Sequence, residues 1–235
     1  MTGPDCLITT RASGDGDDPR LDVAAFHRNR EPIREAVARA LGDRTGDVLE
    51  IGSGSGQHVV ALAGAFPDIV WWPSDREPRH LASVEAWRGD AGLGNVRPAV
   101  LVDAAADVWE AGPGETGPGA GDGGEAREDL AGLLVINVLH IAPFAVTDGI
   151  LRGAGRRLRP GGRLMVYGPF LRDGHFTTEG NRRFDRGLRA QNPAWGLRDI
   201  GAVTVLAQSR GLALVEVLPM PADNFFLIFE KPEAA

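Results

Sequence analysis

The sequence predicts an α/β fold in which helices cover both faces of a doubly wound, mostly parallel sheet. Along the 235 residues, short aliphatic runs alternate with segments whose apolar residues recur at helical spacing. Residues 133–140 are aliphatic over most of their length, as expected for a strand that is covered on both faces. Three glycines, Gly52, Gly54 and Gly56, follow the first aliphatic run and mark a tight turn into a helix. The chain length favours one domain with a full core over two domains.

Two segments are predicted to lack a packed structure. Residues 1–20 are rich in Thr, Gly, Asp and Pro without hydrophobic periodicity, which predicts a disordered leader. A Gly/Pro-rich segment at about residues 111–128 has too few apolar side chains to bury a core, so it predicts a surface insertion. Residues 21–235 are therefore predicted to form a single domain, which the insertion interrupts without dividing.

A helix is predicted before the first strand. Apolar residues within 33–41 recur on one face, and Pro32 suits the first turn of a helix because proline has no N–H to donate. The polar residues Asn29, Arg30 and Glu31 stand at this predicted start. We expect these three residues to face a cofactor or substrate, with Arg30 and Glu31 as candidates for substrate binding; a solvated helix cap is the alternative interpretation.

The glycine turn is the strongest functional motif. An apolar run over 47–51 precedes it, and residues 57–66 carry aliphatic side chains at helical spacing. A strand, a glycine turn and a helix in this order bring backbone N–H groups and a helix N-terminus close to a ligand. A flexible linker is one alternative, but apolar runs flank the turn on both sides. A nicotinamide or flavin fingerprint would need glycine at position 57, where the chain has Gln57.

The second and third predicted strands each lead to an acidic residue. The run 69–72 precedes Asp75, at the distance where a Rossmann-type unit places an acid that accepts hydrogen bonds from ribose hydroxyls. A helix is predicted over 78–91, and a strand over 95–102 is followed by Asp103. We expect Asp103 at the ligand-binding edge of the sheet, with a helix N-cap or turn residue as an equal alternative.

The fourth and fifth predicted strands carry the candidate catalytic side chains. Residues 133–140 form the fourth strand, with Asn137 and His140 at or just past its carboxyl end. After a helix predicted over 146–158, a tight turn leads into a fifth strand that ends at Tyr167. In the polar segment that follows, His175 and Asn181 are candidates for a substrate lid. The last predicted elements are a helix over 200–211 and two paired strands over 213–218 and 224–230.

The glycine turn, with Glu50 at the end of its strand, resembles motif I of class I methyltransferases that use S-adenosyl-L-methionine (SAM). Together with Asp75, Asp103 and the Pro-Gly-Gly turn before the fifth strand, it makes the chain resemble a seven-stranded protein of that class. The resemblance implies the Rossmann-like class I methyltransferase fold. Over about residues 26–231 the chain resembles the methyltransferase-like-26 family more closely, a family without an agreed substrate. The shared phrases lie at residues 29–33, 49–58, 72–75, 136–141, 167–170, 192–199 and 220–224.

This resemblance implies SAM as the cofactor and S-adenosyl-L-homocysteine (SAH) as the product. It assigns the glycine turn to the amino-acid end of SAM, Asp75 to the ribose hydroxyls and Asp103 to the adenine. Asn137 would line the opening through which the methyl group passes. The cofactor-binding residues implied in this way are Glu50, Gly52, Ser53, Gly54, Gly56, Asp75, Asp103 and Asn137.

Methyl transfer from a sulfonium mainly requires alignment, and it needs a base only if the acceptor atom is protonated. His140 is the leading candidate for that base, because an ordinary histidine has a pKa near about 6.5; a structural histidine that caps a turn is the alternative. Tyr167 is a candidate for orienting the substrate, or it packs with its hydroxyl satisfied. The chain has no Asp/Asn-Pro-Pro-Tyr signature of amino-group methyltransferases. We therefore expect an enzyme that methylates oxygen or an activated carbon of a small molecule.

Two other functions stay open, because a fold does not determine a function. A SAM-binding protein can catalyse a non-methylating reaction, or it can act as a non-catalytic partner. The net charge of −7 provides no basic surface for nucleic acid, and no run of about 20 apolar residues predicts a membrane span. Cys6 is the only cysteine, which excludes disulfides within the chain and cysteine-based zinc sites. We expect a cytoplasmic monomer or homodimer without a metal site.

Overall fold

The computed structural model describes residues 18–109 and 129–233. The predicted leader, apart from residues 18–20, and the predicted insertion at 111–128 therefore lie outside the described residues. The helices are α1 (Ala24–Leu41), α2 (Gln57–Ala65), α3 (Pro78–Ala91), α4 (Phe144–Arg157), α5 (Glu179–Gln191) and α6 (Ile200–Ser209). The strands are β1 (Gly46–Ile51), β2 (Ile69–Asp75), β3 (Val100–Leu101), β4 (Leu130–Ile136), β5 (Leu158–Arg172), β6 (His175–Phe176), β7 (Arg198–Asp199), β8 (Ala213–Met220) and β9 (Asn224–Glu230).

The strands form one sheet in the order β3-β2-β1-β4-β5-β9-β8. Strands β1 to β5 pair in parallel, while β9 runs antiparallel to both β5 and β8. The two-residue strands β6 and β7 pair with the end of β5, outside this order. The predicted doubly wound, mostly parallel, seven-stranded α/β sheet is confirmed.

The two faces of the sheet are covered by different helices. Successive side chains of a strand point to opposite faces, so Leu133 and Leu134 of β4 enter separate cores. The Leu133 core includes Ile150 from α4 and Val203 from α6. The Leu134 core draws instead on α1, α2 and α3, with Ile33, Val37, Leu62 and Val84. Because all seven residues of β4 are buried, this strand reads as a continuous aliphatic run rather than an alternating one.

The strand order reverses between β1 and β4, which are neighbours at the centre of the sheet. From β1 the chain crosses over to β2 and β3 on one side, and from β4 it continues to β5 on the other. The connections at the carboxyl ends of β1 and β4 therefore diverge and leave a crevice above the sheet. This crevice is where an open α/β sheet binds its ligands.

Several predictions of secondary structure were wrong or incomplete. The fourth strand ends at Ile136 rather than at residue 140, and the fifth continues past Tyr167 to Arg172. Helix α1 begins at Ala24, so Pro32 lies inside the helix, where it provides no N–H for the carbonyl of Arg28. The predicted third strand over 95–102 is reduced to Val100–Leu101 and an isolated pairing of Val96 with Trp71, because Pro98 interrupts the hydrogen-bond ladder. The polar segment after β5 contains helix α5, which no hydrophobic pattern had indicated. Within the described part of the chain, no helix is long and apolar enough to cross a membrane.

Candidate functional site

A cavity of about 1080 Å³ lies above the carboxyl ends of β1, β2, β4 and β5. It occupies the crevice where the strand order reverses, and its volume is at the upper end of the range for small-molecule sites. Most of the residues proposed from the sequence lie on its walls. They are Glu50, Gly52, Ser53, Gly54, Asp75, Asp103, Asn137, His140, Tyr167 and Asn181.

The glycine turn has a fixed shape and leaves one side open. Ser53 donates its N–H to the carbonyl of Ser74 at 2.8 Å, and Gly56 donates to the carbonyl of Ser53 at 2.9 Å. A Cβ at Gly56 would lie 2.7 Å from the Cα of Val84, so glycine is required there for close packing of α3. Gly54 has a φ of 55° and no atom within 4 Å of an added Cβ. Its bare backbone therefore faces the cavity.

Asp75 links the glycine turn to the end of β2. Its Oδ2 accepts the N–H of Gly54 at 2.9 Å, and its Oδ1 accepts the N–H of Glu77 at 3.0 Å. Burial opposes ionisation of this carboxyl, but the imidazole of His80, whose Nδ1 lies 3.1 Å from Oδ1, together with the two backbone donors, lowers the pKa of Asp75 below the usual value. Asp75 thus presents an ionised carboxylate, with spare lone pairs, to the cavity.

The carboxyl of Glu50 differs from that of Asp75 in that its pKa is raised rather than lowered. It is 1% exposed at the end of β1, and its Oε2 has no hydrogen-bond partner in the described structure. Burial raises its pKa to about 7; the hydroxyl of Ser53 opposes the increase, and the charge of Asp75 adds to it. A buried carboxyl with one free oxygen is suited to a cationic donor, whose charge would restore its ionised form.

The shifted pKa of Glu50 predicts a pH-dependent stability. Between pH 4.5 and about 7 the folded protein holds a proton on Glu50 that the unfolded chain has released, so the stability that this proton confers is lost as pH rises through the folded pKa. Glu50→Gln mimics the protonated form at every pH. We expect the variant to be more stable than the wild type by about 3 kcal/mol at pH 8 and equally stable at pH 4.5. Urea titrations at both pH values measure this; an equal difference at the two pH values would contradict the assignment.

Asn137, Tyr167 and His140 lie close together where β4 ends and its pairing with β5 stops. Asn137 has a φ of 58°, in the left-handed region that Asn tolerates better than most residues, and its N–H donates to the carbonyl of Tyr167 at 2.9 Å. A Cβ placed on Gly168 would lie 3.4 Å from Nδ1 of His140 and 3.6 Å from Oδ1 of Asn137. The side chains of His140 and Asn137 therefore lie close together on the cavity wall.

His140 is buried in a short 3₁₀ turn (Leu139–Ile141) after β4. Its ring meets Phe184 edge-on, with centroids 5.5 Å apart, and its carbonyl accepts the N–H of Gly196. Burial, with the nearby charge of Arg198, lowers the pKa of His140 to about 3. The imidazole is therefore neutral at every physiological pH and a weaker base than the ordinary histidine that the sequence suggested.

Asp103 lies on the cavity wall, and its side chain also stabilises the turn that follows it. Its Oδ1 accepts the N–H of Ala105 at 3.0 Å, as a turn residue would. The carboxylate has a second oxygen, and the residue is exposed at the rim of the cavity. The ligand-binding and turn interpretations of Asp103 are therefore geometrically compatible.

Arg30, Glu31 and His175 do not line the cavity. Arg30 and Glu31 are exposed, and Nε of Arg30 lies 3.6 Å from Oε1 of Glu31. Glu31 also accepts a hydrogen bond from Arg34. Because each residue turns a helix by about 100°, the cavity-facing positions of α1 are Ala25, Phe26, Arg28, Asn29 and Pro32 instead. His175 is exposed on β6, with Nδ1 at 2.6 Å from the carbonyl oxygen of Asp173. The structure therefore does not place Arg30, Glu31 or His175 on the cavity wall.

Of the polar residues 29–31, Asn29 lies on the cavity wall, and its Oδ1 is buried without a hydrogen-bond partner. Several other cavity residues were not proposed from the sequence. The shared phrases of the family resemblance contained His58 and Trp195, and that was the signal available for them. The residues that the structure adds to the site include Phe26, Arg28, His58, Phe184 and Trp195.

Gln57, which excludes a nicotinamide fingerprint, has a structural role. Its Oε1 accepts the N–H of Val23 at 2.9 Å, and its Nε2 donates to Asp22 at 2.8 Å. Leu21 is held in the same way, because its N–H donates to Ser83 at 2.8 Å. The segment that leads into α1 is thereby attached to the start of α2 and to α3, which places α1 against the cavity. Among residues 18–109 and 129–233, no group of three or more His, Cys, Asp or Glu side chains is arranged to hold a metal ion.

Residues 21–231 match the family model of DUF938, described as a protein of unknown function. One solved structure with a similar fold is an O-methyltransferase family protein from Burkholderia thailandensis. The two chains are 14% identical, the match covers 90% of this chain and 58% of that chain, and the TM-score is 0.71. The mitomycin 7-O-methyltransferase MmcR has 19% identity, coverages of 88% and 55%, and a TM-score of 0.65. Human N-acetylserotonin methyltransferase in complex with SAM has 13% identity, coverages of 88% and 53%, and a TM-score of 0.66.

This chain spans a little more than half the length of these solved structures. At such identities the likeness shows the fold alone, which is the Rossmann-like fold of SAM-dependent methyltransferases. The family match covers nearly the whole chain, including the glycine turn, Asp75 and the end of β4. The chain belongs to the DUF938 family.

Proposed function

We propose that this protein is a SAM-dependent methyltransferase that acts on a small molecule, and that it is a member of the methyltransferase-like-26 family. One observation carries the proposal. Two buried carboxyls of opposite character, Glu50 and Asp75, stand beside the open backbone of Gly54 in the crevice where the strand order reverses. Solved structures of the same fold include complexes with SAM and with SAH, which supports the choice of cofactor.

The residues of the cavity fit the groups of SAM. The partnerless Oε2 of Glu50 suits the ammonium of the amino-acid end, and the bare backbone at Gly54 leaves room beside it. The ionised carboxylate of Asp75 suits the two ribose hydroxyls, which are hydrogen-bond donors. Asp103 at the rim suits the amino group of adenine. Each end of the cofactor thus meets an acceptor that the structure provides.

When bound, SAM supplies an electrophilic methyl group. The chain has to place an acceptor atom in line with it and to remove a proton where one is present. Asn137, His140 and Tyr167 lie close together where β4 ends and its pairing with β5 stops, and we propose that the acceptor atom lies there. The proposed role of His140 is to receive the proton. Because burial makes His140 a weak base, this role favours an acidic hydroxyl or an activated carbon over an aliphatic alcohol.

The proposal is tested by methyl transfer to a low-molecular-mass metabolite fraction, with SAM labelled at the methyl group. We expect the wild type to transfer label to an extractable product and Glu50→Gln to transfer none. For His140→Gln we expect a reduced kcat with unchanged SAH affinity. Tight SAH binding without any labelled product would contradict methyl transfer, and would favour a non-methylating reaction or a non-catalytic partner role instead.

A further inference from the structure

The cavity has a second half that the cofactor residues do not explain. Glu50, Asp75 and Asp103 lie at the ends of β1, β2 and β3, on one side of the crevice. On the other side, residues from α1, β5, α5 and the loop after α5 form a mostly apolar wall. We call this wall the acceptor half; it consists of Phe26, Asn29, His140, Tyr167, Phe184 and Trp195.

The acceptor half contains a buried polar atom that lacks a partner. Oδ1 of Asn29 has almost no accessible surface and accepts no hydrogen bond in the described structure. The carboxamide hydrogen-bonds to Tyr167 and lies on the cavity wall, so a small rotation of the side chain would turn Oδ1 toward a ligand. A buried acceptor without a partner is unfavourable by roughly 1–3 kcal/mol. A hydrogen-bond donor on a ligand would remove that cost.

Aromatic rings line the same half. Phe26 meets His58 edge-on with centroids 5.0 Å apart, and Phe184 meets His140 at 5.5 Å. Aromatic rings on the wall of a cavity favour a planar aromatic guest, which can stack on their faces or meet their edges. The rings come from α1, α2, α5 and the end of β4, which are distant in sequence, so the wall forms only when the chain is folded.

The charges of this half exclude one class of acceptor. Among the described residues of the acceptor half, none carries a carboxylate. Arg28 lies next to this half: burial raises the pKa of Tyr167, and the positive charge of Arg28 partly opposes that increase. An amine cation would therefore lose its hydration and meet no counter-charge. A neutral guest loses less hydration on entering the same space.

From these observations we propose that the acceptor half binds a neutral hydroxyarene, whose hydroxyl donates a hydrogen bond to Oδ1 of Asn29 while its ring packs between Phe26 and Phe184. This inference rests on the proposed function, since it names the class of acceptor for that site. Asn29 is in this view a specificity residue, which selects for a hydroxyl on the ring.

The test uses SAH-saturated protein and three probes of equal ring size: naphthol, methoxynaphthalene and aminomethylnaphthalene. We expect naphthol to bind at least about tenfold more tightly than methoxynaphthalene, which lacks the donor, and the cationic amine to bind most weakly. Asn29→Leu keeps the branched shape of the side chain but removes the acceptor, so it should lose the preference for naphthol. Phe184→Leu should weaken naphthol and methoxynaphthalene by the same factor.

Glu31→Gln, on the exposed side of the same helix, is the matched control and should behave as the wild type. Equal binding of naphthol and methoxynaphthalene to the wild type, or a preference retained by Asn29→Leu, would overturn the inference. Binding of SAH without binding of any arene would overturn it as well while leaving the proposed function intact. Failure to bind SAH would remove the proposed function, and this inference with it.

Discussion

Asp75→Ala is expected to lower the affinity for both SAM and SAH by at least about 100-fold. The substitution removes the ionised acceptor that we propose binds the two ribose hydroxyls, and each such hydrogen bond would contribute roughly 1.5–3 kcal/mol. It also leaves the N–H groups of Gly54 and Glu77 without the partner that they have in the folded protein. Isothermal titration calorimetry with each ligand measures the loss.

Two further variants make the Asp75 result specific. Asp68→Ala removes an exposed carboxylate just before β2, at the opposite edge of the sheet, and should bind both ligands as the wild type does. Asp75→Asn keeps the shape and one acceptor oxygen, so its affinity should lie between those of the wild type and the alanine variant. Unchanged affinity in a folded Asp75→Ala protein would place the ribose elsewhere.

Gly149→Ala is expected to destabilise the protein by about 3 kcal/mol, although Gly149 itself does not line the cavity. A Cβ at this position of α4 would overlap the backbone carbonyl of Ala104, so the backbone rather than a flexible side chain has to move. The displaced segment includes Asp103, which we propose contacts the adenine. Cofactor affinity should therefore fall together with stability, as thermal unfolding and calorimetric titration would show.

Gly187→Ala is the matched control for the Gly149 variant. Gly187 also lies inside a helix, α5, but no atom lies within 4 Å of an added Cβ. Alanine should therefore stabilise this helix by about 0.5–1 kcal/mol, without effect on cofactor binding. If both variants lost the same stability, the packing of α4 against the loop after β3 would not be the cause.

The parts of the fold that the sequence predicted well are those with local determinants. Helix α3 was placed at Pro78–Ala91 because Pro78 starts it and Gly92, with a φ of 61°, ends it. The position of Asp75 followed from the spacing between a glycine turn and the next strand. Helix α1 was misplaced because Pro32, normally a start signal, lies inside it, where packing of its buried face outweighs the lost hydrogen bond.

The sequence indicates the cavity residues that lie at strand ends. It does not indicate those whose positions depend on packing between helices. Asn137 follows from the rule that parallel strands end at the ligand-binding edge, and Tyr167 lies beside it where the pairing of β4 with β5 ends. The rotation of α1 about its axis decides which residues of 29–31 line the cavity, and the hydrogen bonds of Gln57 and Ser83 to the segment before α1 come from distant positions in the chain. The sequence proposed all three residues, and only Asn29 lies on the cavity wall. The depressed pKa of His140 likewise follows from burial and from Arg198, which no local pattern indicates.

The most direct test of the account is calorimetric titration of SAM into the wild-type protein at pH 7, repeated in buffers with different enthalpies of ionisation. We predict binding at micromolar concentrations with one site per chain. The ammonium of SAM should ionise Glu50, whose pKa is raised to about 7, so binding should release about half a proton per site. Binding without proton release would contradict the assignment of Glu50 to the ammonium. No binding of SAM or SAH to well-folded protein would contradict the proposed function.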